Sequence, residues 1–93
     1  MRLKEKEIQA IKDSVFQFDP EAKIHLFGSR ADESQRGGDI DLLILSDTIT
    51  NKEKRKILIK LQDKIGAQKI DIIVVKSPET QFEKSIYEHS IPL

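Results

Sequence analysis

Asp39-Ile40-Asp41-Leu42-Leu43-Ile44-Leu45 is the stretch on which the fold turns. It is apolar on both faces, as a central strand covered on each side must be, and its aspartates stand where the strand emerges at a sheet edge. Lys69-Ile70-Asp71-Ile72-Ile73-Val74-Val75 has the same character, short, β-branched and interrupted by one aspartate, and reads as a second such strand. Upstream, Lys23-Ile24-His25-Leu26-Phe27 alternates and stops at Gly28, which predicts a short strand running into a tight turn.

Helical periodicity fills the intervals. Over residues 3–17, Ile8, Ile11 and Val15 form one apolar stripe among charges, and Asp19-Pro20 ends it. A short helix is expected from Ser29, its N-cap, to about Gln35, with Asp32-Glu33 near its positive end and Gly37-Gly38 closing it. Thr50 with Glu53 spells a capping box, followed by Ile57, Leu58, Leu61 and Ile65 on one face and a stop at Gly66. Ser77-Pro78 breaks the next strand, Thr80 and Glu83 cap a last helix through Tyr87, and Ile91-Pro92-Leu93 is left extended. The order is αβαβαβα, an α/β (α+β) chain.

With 93 residues and 38% apolar content, residues 1–93 are expected to form one domain with one modest core. A site for two substrates would then either borrow a wall from another chain, in a homo- or hetero-oligomer, or stay open to solvent. Sixteen Lys and Arg balance sixteen Asp and Glu, which speaks against a nonspecific nucleic-acid binder. The Lys52-Glu53-Lys54-Arg55-Lys56 run reads as a solvated helix face. Without cysteine and with two distant histidines, thiolate and histidine metal sites are not expected, leaving oxygen ligands. The charged residues 1–12 contain no long apolar run, so neither a signal peptide nor a membrane span is expected, and a soluble, cytoplasmic protein is.

An unpaired carboxylate is expensive to bury in a strand, so the three aspartates require an explanation. Asp39 and Asp41 leave the same strand face, with Cβ atoms roughly 7 Å apart at ~3.3 Å rise per residue. If the Asp71 strand lies beside them, a three-carboxylate cluster results, and Mg²⁺ suits such a hard-oxygen site that leaves room for water and phosphate. Gly28 lets backbone approach a phosphate, and the Ser29 hydroxyl can hydrogen-bond it. Arg30 either braces a phosphate or is a solvated helix arginine; the sequence leaves both open. His25 reads as a structural histidine, and Phe82 and Tyr87 read as core.

Gly28-Ser29-Arg30-Ala31, then Asp39-Ile40-Asp41-Leu42, then Asp71 resembles the Gly-Ser, Asp-x-Asp, Asp signature of the DNA polymerase β-like nucleotidyltransferase superfamily. The chain is similar in particular to its minimal nucleotidyltransferase group, antitoxin-type partners of HEPN proteins. The nine residues between Ser29 and Asp39 make a slightly shorter loop than is common there. The resemblance implies the nucleotidyltransferase fold, a small mixed β-sheet flanked by helices. It implies Mg²⁺ held by Asp39, Asp41 and Asp71, with Asp71 also helping to activate the acceptor, and a nucleoside triphosphate bound at Gly28, Ser29 and Arg30. It further implies AMP transfer from ATP to a tyrosine hydroxyl of a HEPN partner. A non-catalytic antitoxin acting by occupancy is the alternative, and transfer to RNA or a small molecule is disfavoured by the lack of a second domain.

Overall fold

The computed structural model describes residues 3–31, 39–66 and 68–93, and the backbone but not the side chain of Ser29. In chain order the elements are α1 (Glu5–Phe16), β1 (Lys23–Phe27), a 3₁₀ turn (Gly28–Ala31), β2 (Ile40–Leu45), α2 (Asn51–Ile65), β3 (Ile70–Val75), α3 (Gln81–Glu88) and β4 (Ile91–Pro92). Among the described residues, three helices and one four-stranded sheet of order β3-β2-β1-β4 make an α+β fold, consistent with the nucleotidyltransferase fold that the resemblance implied. The sheet is mixed: β1 runs antiparallel to β2 and β4, whereas β2 and β3 are parallel. Parallel neighbours need a crossover, and α2 supplies it.

The strand period sorts the side chains. Ile24, Leu26, Ile40, Leu42, Ile44, Ile70 and Ile72 face one way and form the core with Ala10, Ile11 and Val15 of α1 and Ile57 and Leu61 of α2. The opposite face carries His25, Asp41, Leu43 and Asp71, and α3 lies over its β1 side. As an interior strand β2 is buried at Leu42, Leu43 and Ile44 alike, which is why it reads as a continuous apolar run.

The capping signals are realised. Glu53 accepts the Thr50 N–H at 2.8 Å, Thr80 Oγ1 accepts the Glu83 N–H at 3.0 Å, and Gly66 closes α2 at φ +89°, a left-handed value that a side chain would strain. At the other end of the core, Glu7 is buried in α1 and accepts from the Lys4 N–H and from Gln68 Nε2, each at 2.9 Å. Burial alone would raise its carboxyl, but these bonds and the Arg30 charge outweigh it and hold it below the ordinary glutamate value.

The structure departs from the sequence expectations in three places. The described part of the turn after β1 is 3₁₀ rather than α; the expected continuation to Gln35 and the Gly37-Gly38 closure lie outside the described residues. Ile91-Pro92 is not merely extended but pairs with Leu26 and His25 as β4, a long-range pairing that leaves no periodicity in so short a segment. Phe82 is 66% exposed and Tyr87 42% exposed, so neither is core; α3 is too short to bury more than Ile86.

His25 is structural, as its position between Ile24 and Leu26 implied: it is buried, its Nδ1 lies 3.1 Å from Ser90 Oγ, and its ring stands 5.0 Å from that of Tyr87. Burial, and then the Lys23 charge, lower its pKa below 6.5. The unfolded chain therefore takes up a proton near pH 6.5 that the folded chain refuses, so this residue makes stability fall as pH drops below 6.5. Melting curves should show that slope in the wild type and a flatter one in His25→Asn. Ser14 offers a second test, since its Oγ is buried in α1 without a partner among the described residues. Ser14→Ala removes that desolvated hydroxyl and improves helix propensity, and should raise Tm by a few degrees, on the scale of about 4–8 °C per kcal/mol for a domain this size.

Candidate active site

Two registers build the site. Phe27 lies opposite Asp41 across the antiparallel pair, and Asp41 lies beside Asp71 across the parallel pair. The chain turns immediately after Phe27, at Gly28, whose φ is +75°. A Cβ placed there would overlap Asp41 Oδ2 and lie 3.2 Å from its Cγ. Gly28 is thus needed twice over: for a left-handed backbone, and as the notch in which the Asp41 carboxylate sits.

Asp41 is half-buried, and Asp71 is exposed at the neighbouring strand. Burial first, then the charges of Asp71 and Asp39 and a hydrogen bond shared with the Asp71 carboxyl, push the Asp41 carboxyl above the ordinary aspartate value, while Lys69 pulls the other way. Asp39, two residues before Asp41, instead forms a 3.4 Å ion pair with Lys69, both side chains well exposed. The same register explains that pair: Ile40 is matched with Ile70, so the residues preceding them meet. The structure thus brings Asp41 and Asp71 together and turns Asp39 toward a lysine. No group of three or more His, Cys, Asp or Glu side chains stands as a metal-holding cluster among the described residues.

The donor set nevertheless suits a hard divalent cation. Two carboxylates converge, and burial and like charge act together against Asp41 ionising, a tension that a bound cation would relieve. The ion pair holding Asp39 is exposed, and such pairs are worth little, so Asp39 is readily redirected. Arg30 donates from Nη2 to Gln68 Oε1 at 3.2 Å, and through Gln68 the turn is linked to Glu7. Asp71 also lies at a groove of about 580 Å³ between α2 and β3.

Residues 8–93 match the family model of the nucleotidyltransferase domain. The chain belongs to the nucleotidyltransferase family. Comparison with curated proteins finds no match. Membership of the nucleotidyltransferase family makes transfer of nucleotidyl groups the general activity of this fold. Sequence reasoning singled out the aspartates, of which the structure brings Asp41 and Asp71 together, but it missed the Lys69 pairing and the seat that Gly28 provides for Asp41. Lys69, two residues before Asp71, was the available signal for the first; nothing local signals the second.

The notch can be tested by a double-mutant cycle. Gly28→Ala should destabilise the chain by about 1–2 kcal/mol for the left-handed backbone alone, and by more through its overlap with Asp41. In an Asp41→Ala background the overlap is gone, and the same substitution should cost only the backbone share. Equal costs in urea melts of the two backgrounds would mean that Gly28 and Asp41 do not share this space.

Proposed function

We propose that this nucleotidyltransferase moves a nucleoside monophosphate, AMP from ATP, onto a hydroxyl group, that of a tyrosine on a HEPN-family partner, and so acts as an antitoxin of the minimal nucleotidyltransferase type. The observation that carries the reading is the in-register pair of Asp41 and Asp71 beneath Gly28. It is supported by the Gly28-Ser29 turn placed against the same carboxylate.

In this reading Asp41, Asp71 and a redirected Asp39 would hold Mg²⁺, which would supply positive charge to neutralise the phosphates. Gly28 and Ser29 bind the triphosphate, the glycine by allowing close approach of backbone. Arg30 contributes positive charge on the same turn while it braces Gln68. Asp71, the exposed carboxylate, takes the proton of the acceptor hydroxyl as its oxygen attacks the α-phosphorus. One P–O bond forms, the bond to the bridging oxygen breaks, and pyrophosphate leaves.

One observation favours a second reading, a module that neutralises its partner by occupancy: Asp39 is engaged by Lys69, leaving two rather than three converging carboxylates. An Asp39→Asn protein that still neutralises the partner at matched expression would support occupancy; loss of neutralisation supports catalysis.

Incubation with labelled ATP, Mg²⁺ and the neighbouring gene product should label the partner, with mass spectrometry locating the label. Asp41→Asn keeps the shape of the side chain and removes its charge, so transfer should fall by about 10²-fold or more while circular dichroism stays unchanged. Transfer near the wild-type rate would remove Asp41 from the mechanism.

A further inference from the structure

The sheet ends on one side in an open strand. Ile40 N–H donates to the Lys69 carbonyl and Ser46 N–H to the Val75 carbonyl at the two ends of the parallel ladder. Given the alternation of a parallel pair, residues 69, 71, 73 and 75 bond to β2, and Ile70, Ile72 and Val74 turn their N–H and C=O groups outward. Among the described residues β3 pairs with β2 alone. Native edge strands are usually shortened or guarded by proline, bulges or inward charges; β3 is six residues long, and apolar except for Asp71.

The groove of about 580 Å³ runs along this edge. Its floor is aliphatic, from Leu58, Ile72 and Ile73, and its wall carries Lys54 and Arg55, which make no ion pair with any described residue. Lys54 and Arg55 line the α2 side of this groove, and Asp71 lines its β3 side. The groove therefore offers a row of backbone bonds, apolar contact, and two basic side chains against one acidic one.

We propose that this groove docks an extended acidic segment of a partner polypeptide, which adds to the four-stranded sheet as a further strand beside β3 with its carboxylates toward Lys54 and Arg55. Backbone spacing selects the occupant. Outward N–H and C=O groups recurring every second residue are matched by another strand, not by a nucleic acid, and the groove lining holds no aromatic ring for a base to stack on. A second copy of the chain fits poorly: it would bring its own Lys54 and Arg55 to the interface with only the Asp71 of its strand to offset them. The docking surface goes beyond the proposed transfer reaction and is read without nucleotide or divalent ion, so failure of one leaves the other standing.

The test is selection of random octapeptides on the immobilised full chain. Enriched peptides should alternate acidic with β-branched residues. Saturating with a selected peptide should slow hydrogen exchange at Ile70, Ile72 and Val74 by at least about tenfold, and N-methylation of alternate peptide amides should abolish binding. Lys54→Glu with Arg55→Glu, at a half-buried and an exposed site, should weaken the acidic peptides by about tenfold and shift selection to basic ones. Ile73→Pro is not relied on, since it could unfold the sheet. Enrichment of basic or helix-forming peptides, no enrichment over bare support, protection at other amides, competition by oligouridylate, or self-association that protects the same amides without peptide would each overturn the proposal.

Discussion

A parallel pair of strands cannot be joined by a hairpin, and most of this molecule follows from that constraint. To bring β3 alongside β2 the chain must travel back over the sheet, and α2 does so while burying Ile57 and Leu61 against the strands it connects. Register is then fixed by the core: a slip of one residue would send Ile70 and Ile72 to the open face and Asp71 into the apolar cluster. The packing that stabilises the fold is the same packing that sets Asp41 beside Asp71. Position on the sheet, not a dedicated scaffold, makes the carboxylate pair.

The price appears locally. Asp41 is held in a notch where burial and two neighbouring aspartates oppose its charge, while the remainder of β2 is almost entirely apolar and closely packed. A strained carboxylate on the best-buried strand is tolerable because that strand has stability to spare; the same group at the two-residue β4 would have little to hold it. The candidate carboxylate is thus carried by a strand whose other side chains are almost all buried.

Much of this was readable in the chain itself. The strands were visible because β2 and β3 are short apolar runs bounded by breakers, and α2 and α3 because Thr50 with Glu53 and Thr80 with Glu83 mark their starts. That Asp41 and Asp71 stand in apolar strands was also plain, but their adjacency depended on strand order, which periodicity does not encode. Pairings across long sequence separation, such as Ile91-Pro92 against Leu26 and His25, left no local trace. Nor did the exposure of Phe82, since an aromatic on a short amphipathic helix reads as core until that helix proves to bury only Ile86.

The two margins of the sheet are unequal. β4 closes the β1 side with two residues, one of them Pro92, whose nitrogen has no hydrogen to donate, and Leu93 N–H is already spent on the Ile24 carbonyl. Among the described residues the β3 margin therefore presents the longer, more regular ladder to an added strand. A sheet with one blunted margin is built to stop at a single added strand, not to propagate as a ribbon.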